Sequence, residues 1–396
     1  MPTRMGWKTL SVIVLTLMVT VACGGRWSNR GDEFVFGVVL RGPHNDQGWN
    51  EAHFRGAQYA EQNLIGVRFD LLDDLNSMER PNTSLEQVVD KMIHDGAKMI
   101  VITSRELAAD TDIVAAKYPD VPFLHIAGDH ARTGVAPANV ANHMGRMEYG
   151  KAIGGCAAAL KTQTRTIGYI GPLANPETRR LAAAAYLGAR DCYATYRGGN
   201  PDDLRFIVTW IGYWFHIPGI TLDPTDVAND MFHGRTDVIL SGIDTTEALV
   251  VAGQRAERGQ RVWAMPFNYA TACDIEPEVC LGVPFYNWGP AYARFVEAAR
   301  AGKHRQLWEW EAPHWSDINN PKRSAVGFSM GEGLSADQVA TLEHYMQALG
   351  SGEARLFVGP LRLQDGALYV AAGEEATPEQ IWHLPQLLAG MEGASN

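Results

Sequence analysis

Phe34-Val35-Phe36-Gly37-Val38-Val39-Leu40, then Arg41-Gly42-Pro43-His44-Asn45-Asp46-Gln47, then Gly48-Trp49 running on to Gln62: the reading of these residues decides the fold. The first seven are apolar and rich in β-branched side chains, the pattern of a buried strand. The next seven bring Gly42, Pro43, Asn45 and Asp46, which favour turns. From Gly48 onward Trp49, Ala52, His53, Gly56, Ala57 and Ala60 recur three or four apart, as on one face of a helix. Strand, loop and helix in this order form the unit of an open α/β sheet, whose ligands bind beyond the carboxyl ends of the strands. Asn45, Asp46 and Trp49 are therefore candidate ligand contacts. Asp46 also fits a helix cap and Trp49 a core position, and on these residues alone cap and core outweigh the ligand reading.

The same rhythm continues along the chain. Met99 to Thr103 is a second buried strand, ending at Ser104-Arg105-Glu106, and Pro122 to Ile126 is a third. Helical spacing separates them, over Leu85 to Asp95 and again up to Lys117. Alternation of this kind implies parallel strands with right-handed crossovers. Ala136 to Asn142 carries the chain to an Ala/Gly-rich helix, Arg146 to Leu160. A second series follows: a strand at Thr166 to Ile170, a helix from Pro176 to Asp191, and a strand from Phe206 to Trp210 with an aromatic loop, Tyr213-Trp214-Phe215. Val227 to Phe232 is helical, and strands over 237–240 and 261–265 end at Asp244 and Asn268. Leu281 to Tyr286 is a further strand, before Asn287-Trp288-Gly289-Pro290 opens a helix. Trp308, Trp310 and Trp315 read as surface packing or a hinge cover. Ala336 to Leu349 is an amphipathic helix, Asp365-Gly366 sits in a hairpin, and Thr377 to Leu388 reads as a last helix.

Ser104, Trp210, Trp214, Asp244, Asn268 and Trp288 thus join Asn45, Asp46 and Trp49 as candidate ligand-binding residues. Any one of them could be a turn or packing residue; Trp288 suits a hinge core and Trp210 sheet packing. Their recurrence after successive strands is what favours a shared cleft. At 396 residues the chain is long for one domain, so two lobes are expected.

The N-terminus adds an address. Arg4 and Lys8 precede an apolar run, Leu10 to Val21, of signal-peptide length and too short for a membrane span. The run ends in Thr20-Val21-Ala22-Cys23-Gly24-Gly25, which resembles a bacterial lipobox, with Thr20 where leucine is usual. Cys23 is then the lipidated residue, residues 1–22 a signal peptide and 23–33 a tether; a plain secretory signal is the alternative. Gly24 lacks the aspartate associated with inner-membrane retention. Lipidation leaves four cysteines, an even number that suggests disulfides in an exported protein. Cys273 and Cys280 flank a short acidic loop and could pair locally. Cys156 and Cys192 lie in or after consecutive helices; four buried thiols would be the other reading. No Cys-x-x-Cys or clustered histidine spacing suggests a metal, and a net charge of −11 argues against a nucleic-acid partner.

In combination these motifs resemble those of the basic membrane protein (BMP) family of substrate-binding lipoproteins, of the PnrA-like purine nucleoside receptor type. Asp46-Gln47-Gly48-Trp49 with His53 and Gly56 matches the family's opening motif. Ala116-Lys117-Tyr118-Pro119-Asp120-Val121-Pro122-Phe123, Gly145-Arg146, Ile167-Gly168-Tyr169-Ile170 and Leu187-Gly188-Ala189-Arg190 continue it. So do Trp214-Phe215, Asp237-Val238-Ile239, Ile243-Asp244, Tyr286-Asn287-Trp288-Gly289-Pro290, Gly359-Pro360 and Gln364-Asp365-Gly366. The resemblance implies a type I periplasmic-binding-protein fold, two α/β lobes joined by three hinge strands, closing on a purine nucleoside or nucleobase held by aromatic rings and carboxylates. Stacking a base on a ring contributes about 1–3 kcal/mol in single-strand binders. Three departures stand out. Pro266-Phe267-Asn268-Tyr269-Ala270 replaces Gly-Tyr-Asp-x-Asp, His143-Met144 replaces an aromatic before Gly-Arg, and Arg105 stands where phenylalanine is usual.

The expectation is a lipid-anchored receptor on the periplasmic face of a cell-envelope membrane, delivering solute to the permease and ATPase of an ABC importer, as a monomer and without a cofactor. Lobe 1 would comprise 34–137 and about 285–323, and lobe 2 would comprise 138–284 and about 324–396. A ligand sensor without a transporter is the alternative. An exported nucleoside-acting enzyme is a poorer fit: no His-Glu-x-x-His or phosphate loop occurs, and His53 reads as a satisfied helix residue.

Overall fold

Fifteen strands and eleven helices alternate through the computed structural model, which describes residues 1–2 and 33–395. The signal-like segment, Cys23 and residues 24–32 lie outside the described residues. The strands are β1 (Phe34–Val39), β2 (Val67–Leu72), β3 (Ala97–Ile102), β4 (Phe123–Ile126), β5 (Val140–Gly145), β6 (Thr166–Gly171), β7 (Arg205–Trp210) and β8 (Val238–Ser241). They continue with β9 (Trp263–Met265), β10 (Gly282–Tyr286), β11 (Trp308–Glu311), β12 (Val326–Met330), β13 (Leu361–Arg362), β14 (Leu368–Val370) and β15 (Met391–Glu392). The helices are α1 (Trp49–Asn63), α2 (Leu85–His94), α3 (Ala108–Lys117), α4 (His130–Thr133), α5 (Met147–Lys161) and α6 (Pro176–Arg197). After them come α7 (Pro224–His233), α8 (Glu247–Glu257), α9 (Gly289–Arg300), α10 (Ala336–Ser351) and α11 (Pro378–Trp382).

One sheet has the order β11-β5-β4-β3-β1-β2 and the other β15-β7-β6-β8-β9. Every pairing within them is parallel. β10 and β12 form an antiparallel ribbon of their own between the series. In both sheets the order reverses beside the first strand of the series, the switch point where a crevice opens at the strand tips.

Several elements differ from the sequence reading. β5 belongs to the first sheet, so the chain crosses between sheets after Gly145, not near residue 138. Its apolar pattern is broken by Asn142 and His143, both buried. Asn142 is satisfied inside: its side chain accepts from Ala131 N at 2.8 Å and donates to His125 O at 3.2 Å. Trp308 and Trp310 are the alternate residues of edge strand β11, not a hinge cover. The last helix stops at Trp382, because Pro385 cannot continue it. β2, β12 and β15 had no counterpart in the sequence reading.

Small residues set the packing under the second sheet. α5 and α6 approach so closely that a side chain at Gly155 would run into the backbone of Ala185, and one at Gly188 into that of Ala152. Cys156 bridges these helices to Cys192 with 5.1 Å between their Cα atoms, and Cys273 bridges to Cys280. The C-terminal segment touches both lobes. The Trp382 ring stands edge-on to Trp308 and Trp310, and its indole donates to Asp129 at 2.9 Å. Nine residues later β15 pairs with β7 of the other sheet.

Candidate functional site

The loops at the carboxyl ends of the two sheets meet across a small cavity. β1, β3 and β4 send Arg41, Thr103 to Glu106 and Ala127 to its wall, and α1 adds Trp49 and Asn50. From the second sheet come Tyr213, Trp214 and Phe215 after β7, Asp244 after β8, and Glu177 from the first turn of α6. The loops also bond directly across the gap. Arg41 donates to the Tyr213 hydroxyl at 2.8 Å, and the Trp214 indole to Glu106 at 2.9 Å. Gly48 lies so close to Asp244 that any side chain there would strike the Asp244 carbonyl. The lobes are closed on each other.

Trp49 is fixed as a wall. Its indole donates to Thr103 O at 2.8 Å, and Tyr286 and Trp288 stand edge-on behind it at 5.4 and 5.3 Å. Asp244 is buried, and its carboxylate accepts from the Asn268 amide at 2.9 Å. Burial pushes the Asp244 carboxyl well above its ordinary value, and the carboxylates of Asp46, Glu106 and Glu177 add to this; the Asn268 hydrogen bond opposes it. Behind it the Lys151 ammonium donates to Ser241 O at 2.6 Å and lies 3.2 Å from the centre of the Phe267 ring. Burial lowers its pKa strongly, while Asp244 pulls the other way.

Glu177 had been read only as part of a helix. It is 3% exposed, opens on the cavity, and accepts no hydrogen bond among the described residues. Burial raises its pKa, and Arg180 and Arg105 draw it back toward the carboxylate form. Arg41, Arg105, Glu106, Tyr213 and Phe215 also line the cavity without having been chosen as contacts. Each of them, like Glu177, follows the end of a parallel strand, which is the signal that could have found it.

Of the nine candidates, Trp49, Ser104, Trp214 and Asp244 share the cavity. Asn268 sits one step back, reaching it through Asp244. The others are placed elsewhere. Asp46 is consumed as the cap of α1: its carboxylate accepts from the amides of Gly48, Asn50 and Glu51 at 2.9–3.1 Å and from the Asn50 side chain at 2.7 Å. Asn45 is exposed, in a shallow cleft with Thr245 and Thr246. Trp210 lies over Gly171 and donates to Ala394 O at 2.6 Å, at the β15 side of its sheet. Trp288 is core, stacked between His53 and Tyr286 with ring centres at 4.3 and 4.7 Å. One group among the described residues could offer metal ligands, His143 with Glu309 and Glu311. The Arg294 guanidinium already bonds both glutamates and supplies the positive charge there.

Two parallel-sheet lobes closed over a cavity at their strand tips define a periplasmic binding protein of type I. The chain belongs to the Bmp family, described as ABC transporter substrate-binding protein PnrA-like, whose model matches residues 34–268. It is 26% identical over 368 residues to a purine-binding protein of Brucella abortus (strain 2308), covering 91% of this chain and 93% of that one. It is also 26% identical over 300 residues to a putative ABC transporter glucose-binding protein of Haloferax volcanii, covering 75% and 68%. Among solved structures, an ABC transporter system solute-binding protein from Aeropyrum pernix K1 superposes with a TM-score of 0.64 at 17% identity, covering 83% of this chain and 94% of that one. No helix among the described residues is long and apolar enough to cross a membrane.

Proposed function

We propose that this substrate-binding protein is a lipid-anchored receptor, tethered through Cys23 on the outer side of a cell-envelope membrane, that captures a purine nucleoside or nucleobase for an ABC importer. The observation that carries the reading is the cavity itself. Trp49, Trp214 and Phe215 offer flat apolar faces, and Glu177 and Asp244 offer buried carboxyl groups among them. This is the mix of apolar walls and few polar groups that orients a small planar ligand, and the purine-binding relative points the same way. The lobes we take as 34–145 with about 289–323, and 147–281 with about 331–396, the chain crossing near Arg146 and along β10 and β12.

Isothermal titration and thermal shift with adenine, hypoxanthine, guanine and their nucleosides, and with glucose, test this reading. A purine at a hundred times its Kd should stabilise the protein by about 2.7 kcal/mol. Response to glucose alone, or to none of these, overturns the purine assignment. Intact-mass analysis of protein extracted from membranes should show residues 1–22 removed and acyl chains on Cys23.

A further inference from the structure

We propose that Glu177 and Arg105 read one edge of the ligand, so that the site takes a planar ring carrying an N–H beside a hydrogen-bond acceptor and rejects the same ring without that N–H. The inference rests on the purine reading above and names the residues that make it selective.

The argument comes from which polar groups of the cavity are already committed. Asp244 receives the Asn268 amide. Glu106 receives the Trp214 indole and the Ser104 hydroxyl. Arg41 gives to Tyr213. Arg41 keeps a buried Nε without a partner, but among the groups with hydrogen-bonding capacity to spare it is Glu177 and Arg105, of opposite charge, that interact electrostatically at the cavity. Glu177 is a buried carboxylate with no hydrogen bond among the described residues. Arg105 makes one, at 3.3 Å to Ala127 O, although a guanidinium has five N–H groups to give. The Glu177 oxygens are reached from the cavity and take no donor from the protein, so they are free to accept from a donor that arrives with the ligand. Glu177 can only accept while ionised and Arg105 can only donate, so together they match a donor and an acceptor side by side. Purines with an amino group or a lactam present that pair.

The test uses the whole protein and two measurements. In the ligand-free protein, Glu177→Gln should leave the thermal midpoint unchanged or raise it, because burial disfavours a charge that no hydrogen bond within the protein satisfies; a clear fall in the midpoint would make Glu177 a structural group and overturn the proposal. Binding is then compared for adenosine, inosine and purine riboside, and for adenine and hypoxanthine. Wild type should bind adenosine or inosine, or their bases, and bind purine riboside, whose base has no N–H, at least tenfold more weakly. Glu177→Gln and Arg105→Ala should each weaken the good ligands by about 10- to 100-fold, the range of a hydrogen bond to a charged group. Purine riboside bound as well as inosine, or unchanged affinity in both variants, overturns the edge reading while the purine assignment stands. Binding of none of the five, nor of guanine or guanosine, removes both.

Discussion

Asp46 shows how one residue can be chosen for the right place and the wrong task. Its position after β1 is that of a ligand contact, but four N–H donors from the start of α1 converge on its carboxylate. Asp46→Ala should therefore cost about 1–2 kcal/mol in urea unfolding, as loss of a strong cap does. Asp244 behaves differently. A carboxyl whose pKa is raised in the fold holds its proton longer there than in the unfolded chain. The penalty of the buried charge is in full force above its folded pKa, shrinks as pH falls through that value, and is gone below the ordinary 3.8. The stability difference between wild type and Asp244→Asn should accordingly narrow on acidification over that window; a difference that widened would contradict the burial argument. The four candidates that share the cavity were readable because each follows a parallel strand. Glu177 was missed because Pro176-Glu177 spells an ordinary acidic helix start, and nothing in its sequence neighbours shows that a second lobe closes over it.

At the scale of elements, long apolar runs and helices with clear spacing were legible, and strands with polar or half-exposed residues were not. β5 hides behind Asn142 and His143, whose partners come from the adjacent strands β4 and β11 and from α4. β11 reads Trp-Glu-Trp-Glu, an alternation that marks an edge strand but looks polar without the neighbour that covers its tryptophans. The Ala/Gly content marks α5 as a tightly packed helix but not its partner α6, and the geometry of the pair makes a sharp prediction. Gly155→Val should destabilise the protein by several kcal/mol, because backbone rather than a movable side chain stands in the way. The bridge between these helices closes a loop of 36 residues, against 7 for Cys273–Cys280. In the loop-entropy account the longer should contribute about 4 kcal/mol and the shorter about 2. Paired Cys→Ser variants compared by denaturant midpoint would show whether that order holds.

For the whole molecule, the proposed function makes binding depend on how readily the two lobes part. Arg41–Tyr213 and Glu106–Trp214 hold the closed form from opposite sheets. Removing both with Arg41→Ala and Glu106→Ala should enlarge the radius of gyration of the ligand-free protein in small-angle scattering and weaken ligand binding, since a ligand that prefers the closed form must then supply more of the closure. A variant as compact as wild type would place the control of closure elsewhere.

The tail that carries Trp382 into one lobe and β15 into the other works as a stay rope outside the hinge. Opening must either pull that indole from between Trp308 and Trp310 or bend the few residues that follow it. In the proposed receptor the far C-terminal end should therefore restrain the angular travel, and a reporter dye or affinity handle fused there should alter the very motion it was meant to observe.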